Sequence, residues 1–175
     1  EVLWNALKTG QLQTLGSDQC SFDFNGQKDL GKEDFSKIPN GGPIIEDRVS
    51  ILYSEGVDKG RITLNQFVDI MSTKAAKLFG LYPKKGTIAV GSDADLVLFD
   101  PSVERVIKSE TDHMAVDYNP FEGIRVKGEP VSVLSRGEFV IKDKMFVGKA
   151  GNGQYIKRAK YGKTLRRDKQ TAAKV

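Results

Sequence analysis

Residues 63–100, TLNQFVDIMSTKAAKLFGLYPKKGTIAVGSDADLVLFD, change character part-way along and set the reading of the whole chain. In the first half, Leu64, Phe67, Val68, Met71, Ala75, Leu78 and Phe79 recur at helical spacing, which predicts a helix over residues 63–79 with that stripe buried. Thr63 and Gln66 have the spacing of a capping box, and Gly80 stands where a helix ends on a left-handed residue. After Pro83-Lys84-Lys85-Gly86 the pattern shifts to short β-branched and aromatic runs. These predict strands at residues 88–90, 94–99, 103–107, 131–134, 138–141 and 145–147. Arg136-Gly137 and Asp143-Lys144 fall between the last three and suit hairpin turns.

Upstream, residues 1–8 read as a helix end, with Val2, Leu3, Ala6 and Leu7 on one face and Gly10 as its stop. Residues 11–16 (QLQTLG) read as a short strand. A second helix is predicted over residues 43–55, with Pro43 in the first turn, Glu46 and Asp47 complementing the dipole, and Gly56 ending it. Its apolar face is Ile45, Val49 and Leu52. Residues 21–42 are polar and Gly-rich without a clean period; a loop of that length is functional or unusually packed. The fold class is therefore α/β over residues 1–82, all-β over 83–150, and an extended basic tail over 151–175. No repeat at solenoid or propeller period is present.

Composition narrows the function. The chain has 175 residues, shorter than the roughly 250 of a complete (β/α)₈ barrel. One Cys excludes an internal disulfide framework and a Cys₄ zinc site, and one His excludes a self-contained metal site built on two or more imidazoles. No apolar run approaches the ~18 residues of a membrane span, and Glu1 does not open a signal peptide. The net charge of +4 is unevenly placed. Residues 157–175 carry eight Lys/Arg and one acid, leaving 19 bases and 22 acids in a mildly acidic body. The body has no basic groove and no nucleic-acid motif, so the tail reads as a solvated terminus or a contact arm.

Two Gly-Ser-Asp tripeptides stand out. Gly16-Ser17-Asp18 follows the predicted strand, and a carboxylate at a strand end can bind a metal and accept a proton from water. Gly91-Ser92-Asp93 lies between short strands, where Asp93 and Asp95 read as turn caps. Cys20 has no His nearby and reads as a pocket-wall thiol. His113 lies in a polar stretch and reads as a surface or capping residue. Gly41-Gly42, after Asn40, can present backbone groups to a ligand or form a turn. One carboxylate without a base, nucleophile or second ligand does not by itself make an active site.

Longer segments carry a resemblance: Leu3-Trp4-Asn5-Ala6-Leu7, Leu15-Gly16-Ser17-Asp18-Gln19-Cys20-Ser21-Phe22, and Lys37-Ile38-Pro39-Asn40-Gly41-Gly42-Pro43. Further segments are STKAAKLFG over residues 72–80, GTIAVGSDADLVLFDP over 86–101, and Tyr118-Asn119-Pro120-Phe121-Glu122-Gly123. Together, over residues 3–162, they are similar to the C-terminal part of the bacterial D-hydantoinase/dihydropyrimidinase family of cyclic amidohydrolases. The resemblance implies the last piece of a TIM-like (β/α)₈ metal-dependent hydrolase barrel, followed by the C-terminal strands of a small β-sandwich. Residues 11–17 would be the eighth barrel strand and its end. It further implies two zinc ions in the intact enzyme and a cytoplasmic homotetramer that opens cyclic ureides or imides to N-carbamoyl amino acids. Asp18 matches a zinc ligand that also shuttles the proton; Asn40 matches a residue whose backbone groups hold the substrate. The other metal ligands, including a carboxylated lysine, would lie in the remainder of the protein chain, so residues 1–175 are expected to be inactive alone. Two alternatives remain: a non-catalytic assembly or scaffold member, against which Asp18 argues, and an allantoinase- or dihydroorotase-like enzyme.

Overall fold

The computed structural model describes residues 1–159. Its α-helices all precede residue 79, and its strands lie between residues 96 and 146. Helix α1 (Val2–Lys8) ends as predicted: Gly10 takes φ +73° and its N–H donates to the Leu7 carbonyl at 3.2 Å. Of its apolar face only Leu7 is buried, while Val2 and Leu3 are largely exposed. Residues 11–16 do not form the predicted strand. A strand needs a neighbour to complete its ladder, and among the described residues none runs alongside this segment.

Helix α2 (Arg48–Leu52) starts five residues later than predicted and runs on as a π turn, Tyr53–Asp58. Asp47 occupies the N-cap position but makes no capping hydrogen bond, because Arg105 and Asn119 take its carboxylate. Glu46 likewise serves His113 rather than the helix dipole. Gly56 does not stop the helix. It is buried inside the π turn, where a Cβ would stand 3.0 Å from both Ile62 and Trp4.

Helix α3 (Leu64–Val68), a π turn (Asp69–Thr73) and helix α4 (Lys74–Leu78) form one continuous helical run. The capping box is present: the Gln66 N–H donates to Thr63 Oγ1 at 3.2 Å, and the Thr63 N–H donates to Gln66 Oε1 at 2.8 Å. Gly80 takes φ +69° at the C-terminal end. The predicted stripe is corrected. Phe67, Ile70 and Ala76 are buried, whereas Leu64, Val68 and Phe79 are exposed. Ile70, three residues on from Phe67, shares its inward face, and beyond the π turn the phase of the repeat shifts so that Ala76 is buried. With Leu7, Leu52, Ile62 and Phe67, Ile70 forms the main apolar cluster.

Strands β1 (Leu96–Val106), β2 (Arg125–Ser135), β3 (Glu138–Lys142) and β4 (Met145–Phe146) make one antiparallel sheet in that order. The strands predicted at 94–99 and 103–107 are a single strand, broken in register around Asp100. There Asp100 accepts from the Ser102 N–H at 2.8 Å, and Pro101, which has no N–H, lies in an edge strand. Residues 88–90 form no strand, and Ile88 and Val90 are almost wholly exposed. Both hairpin turns are as predicted. Arg136 and Gly137 take φ +50° and +84°, and Asp143 and Lys144 take +50° and +68°, the sign required at both central positions of a type I′ turn. Residues 160–175, most of the predicted basic tail, lie outside the described residues. Just before them, the Ala159 N–H donates to the Gly80 carbonyl at 2.8 Å.

The sheet meets the helices through aromatic rings and one buried polar knot. Tyr53 packs against Phe99 and Phe67, with centroids 4.7 and 5.9 Å apart. Gly128 lets β2 pass beneath them: at φ +83°, a Cβ would lie 2.5 Å from both Phe99 and Tyr53. Beside this cluster the Asp47 carboxylate has no solvent exposure. It pairs with Arg105 at 2.6 Å and accepts from Asn119 Nδ2 at 2.6 Å; Asn119 also donates to Asp112 at 2.6 Å. Burial, then the facing Asp47 and Glu46 charges, push the Asp112 carboxyl above its ordinary range. Arg105 also lies 3.5 Å from Glu129, whereas among the described residues the sealed Asp47 has no other cation, so removing Arg105 strands a buried charge. Arg105→Ala is therefore expected to cost about 3 kcal/mol of stability. A denaturant titration that finds less than about 1 kcal/mol would show that the knot does not hold the two parts together.

Candidate functional site

Asp18 sits at φ +48°, a left-handed conformation that aspartate tolerates better than most residues, and its side chain is exposed. Immediately after it the chain meets the loop at residues 39–42. Gln19 and Gly42 form a parallel bridge. The Gly42 N–H donates to the Asp18 carbonyl and the Cys20 N–H to the Gly42 carbonyl, both at 3.3 Å. Gln19 Oε1 accepts from the N–H groups of Ile44 and Ile45, each at 2.9 Å, which fixes the exit of the same loop. Thus the two segments that the sequence singles out, Ser17-Asp18 and Asn40-Gly41-Gly42, are brought side by side, with Asp18 and Asn40 both open to solvent.

Gly41 makes this approach possible. It takes φ +77°, and a Cβ there would fall 2.6 Å from the Asp18 carbonyl oxygen and 2.8 Å from Cys20 Cβ. Cys20 is half-buried against it. Lys28 reaches the same loop: its ammonium donates to the carbonyls of Pro39 and of Gly41, the latter at 2.6 Å, and lies 5.4 Å from the Phe22 ring centroid. Sequence reasoning identified neither Gln19 nor Lys28. A polar residue inside a motif and a lysine in a Gly-rich loop carry no periodic signal.

The loop at residues 21–42 is packed rather than open. It contains 3₁₀ turns at Lys28–Gly31 and Phe35–Lys37, the second capped by Asp34. Asp117 anchors its near end, accepting from the N–H groups of Phe24 at 2.6 Å and Asn25 at 3.2 Å, while Tyr118 packs edge-on to Phe24. The backbone donation from Phe24 holds the Asp117 carboxyl below its ordinary range.

The remaining candidates lie elsewhere. Asp93 and Asp95 share Lys85, and Asp95 also accepts from the Arg136 N–H at 2.8 Å, so the second Gly-Ser-Asp is structural. His113 is exposed and bonds Glu46 at 2.7 Å, which raises its pKa. Among the described residues, no three His, Cys, Asp or Glu side chains gather as a metal site. An apolar groove of about 370 Å³, lined by Leu3, Trp4, Leu12, Leu15 and Phe121 among others, opens beside the segment that leads to Asp18. Among the described residues, no helix is long and apolar enough to cross a membrane.

Two outcomes test this arrangement. Gly41→Ala introduces both strain and a clash, and is expected to reduce amide-exchange protection at Cys20 and Gly42 by about tenfold or more. Unchanged protection there would show that the approach does not depend on glycine. A carboxyl with a lowered folded pKa contributes stability above its unfolded pKa and loses it as pH falls through the folded one. Protection of the Phe24 and Asn25 amides, corrected for intrinsic rates, is therefore expected to persist at pH 6 and disappear below the unfolded value of 3.8. Protection that is independent of pH, or lost already near pH 6, would contradict the Asp117 anchor.

The chain is similar to known proteins over most of its length. The chain is 83% identical over 162 residues to a D-hydantoinase of Geobacillus stearothermophilus, covering 93% of this chain and 34% of that protein. It is 48% identical over 163 residues to a dihydropyrimidinase of Rattus norvegicus, covering 93% of this chain and 31% of that one. A crystal structure of a D-hydantoinase superposes with a TM-score of 0.89 at 81% identity, over 92% of this chain and 35% of that chain. The chain thus spans about a third of the length of the relatives it matches. The model of the amidohydrolase family matches residues 1–140, and the chain belongs to that family.

Proposed function

We propose that this chain is the C-terminal third of a zinc-dependent cyclic amidohydrolase that opens hydantoins or dihydropyrimidines to N-carbamoyl amino acids. The observation that carries this reading is the juxtaposition of the exposed Asp18 carboxylate with the backbone loop at Asn40-Gly41-Gly42. In this reading residues 11–17 complete a (β/α)₈ barrel, and the sheet β1–β4 is one part of a β-sandwich. The domain division falls near residue 82. The apolar groove beside Leu12 and Leu15 is then the face against which the rest of the barrel packs. We place the enzyme in the cytoplasm as a homotetramer.

Asp18 fits a metal as one ligand, being an exposed carboxylate set by its backbone at the edge of the site. The described residues alone do not complete the ligand set. Two zinc ions, when bound, supply an acidified water and a polarised carbonyl. Asp18 accepts the proton of the attacking water and returns it to the ring nitrogen as the C–N bond breaks. The N–H and carbonyl of Asn40 pair with the complementary edge of the cyclic ureide or imide and orient it. Asp18 also argues against a non-catalytic scaffold role.

The test uses the full-length polypeptide carrying this segment. Asp18→Ala is expected to reduce ring opening of hydantoin or dihydrouracil by at least about 10³-fold without unfolding the protein. Chelation is expected to abolish the activity of the unsubstituted enzyme, and zinc to restore it. Near wild-type turnover by Asp18→Ala with zinc bound would overturn the role given to this residue.

A further inference from the structure

We infer that Lys28 is a positioning residue that orients and polarises the peptide groups around Asn40 for a cyclic ureide or imide substrate. The inference rests on the cyclic amidohydrolase reading above. The Lys28 ammonium donates to the carbonyls of Pro39 and Gly41, the two residues that flank Asn40. The Pro39–Asn40 and Gly41–Gly42 peptides are trans, so in each the C=O and the N–H point in opposite directions. Holding the Pro39 carbonyl on Lys28 therefore aims the Asn40 N–H away from Lys28. The second peptide shows the same geometry completed: its carbonyl lies on Lys28 at 2.6 Å, and its N–H donates to the Asp18 carbonyl at 3.3 Å. One ammonium thus sets the loop that bears Asn40 and, through a single peptide, connects it to the backbone of Asp18.

The charge matters as well as the position. The contacts of the ammonium are two carbonyl oxygens and the face of Phe22, and among the described residues no carboxylate forms an ion pair with it. Its field therefore falls on peptide dipoles. A cation at the carbonyl end of a peptide makes the N–H at the other end a stronger donor, and the half-buried setting limits screening by water. The donor strengthened in this way at Asn40 is the one the reading assigns to the substrate. The 3₁₀ turn Lys28–Gly31 fixes the backbone from which the lysine projects, and the Phe22 face lies 5.4 Å from its ammonium.

The test compares Lys28→Met, Lys28→Gln and Lys28→Arg in the full-length, zinc-loaded protein, with hydantoin and dihydrouracil as substrates. It reads KM, kcat, zinc content and amide exchange over residues 38–44. Lys28→Met is expected to raise KM about tenfold or more, with kcat and zinc content little changed, and to speed exchange of the Asn40-Gly41-Gly42 segment by a similar factor. Lys28→Arg, which keeps charge and donors, is expected to restore KM to within about threefold. If Lys28→Met fails to give a cooperative melt, Lys28→Gln decides: its neutral amide is expected to give an intermediate KM, and a wild-type KM would overturn the proposal. Unchanged KM and unchanged exchange in Lys28→Met would overturn it outright, as would an increase in KM that Lys28→Arg does not reduce. If the unsubstituted protein opens neither ring, the substrate reading fails on its own, and the exchange of residues 39–42 still decides whether Lys28 sets the loop.

Discussion

The carboxylate of Asp47 is sealed from water at the start of α2, and its partners come from elsewhere in the chain: Arg105 from β1 and Asn119 from the loop before β2. A buried charge must be paired or neutralised, so the helices cannot move from the sheet without depriving Asp47 of its cation. The placement of α2 follows from this, and α2 carries Leu52 and the π turn into the apolar cluster. The same helix begins at Arg48, three residues after Ile45, and the N–H groups of Ile44 and Ile45 donate to Gln19 Oε1. The site's two segments are thus referenced to the polar knot through one short stretch of backbone.

What meets at the site is largely main chain. Asp18 contributes its carbonyl, Gly42 its N–H and carbonyl, and Pro39 and Gly41 their carbonyls to Lys28. Each peptide group is planar and fixes its N–H and C=O relative to one another, so a small number of hydrogen bonds can hold the Asp18 segment and the loop at residues 39–42 in register. The design is intolerant at Gly41, where no side chain fits, and at Asp18, whose left-handed conformation must be maintained by its neighbours.

Local signals with a direct physical cause were legible in the sequence. The Thr63/Gln66 capping box, Gly80 after the helix and both two-residue hairpin turns depend on a few adjacent residues, and each is found as expected. Asp18 and Asn40 could be named from the resemblance, but their proximity could not, because it depends on Gln19 reaching residues 44 and 45 and on Lys28 spanning the loop. On α3 the predicted stripe includes Leu64 and Val68, which are exposed, and omits Ile70, which is buried three residues on from Phe67; beyond the π turn the phase of the 3.6-residue repeat also shifts without leaving a sequence mark. Strands at residues 11–16 and 88–90 were misread for another reason: their apolar residues ask for partners that the described residues do not provide, as the exposure of Ile88 and Val90 shows.

The sheet has two unlike edges. β4 is only two residues long and is entered through a turn containing Lys144, with Lys142 just before it, which blunts that side against further pairing. β1 is eleven residues long, with Val97 and Leu98 exposed along it. Among the described residues the longer unpaired edge is therefore β1, interrupted by the register break at Asp100 and by Pro101. The layer has a polarity of growth: a further strand, whether from the same polypeptide or from a misassembled neighbour, has β1 as its template. Sheet completion and off-pathway aggregation consequently compete for the same row of backbone donors and acceptors, and whichever strand arrives first at β1 removes that row from the other.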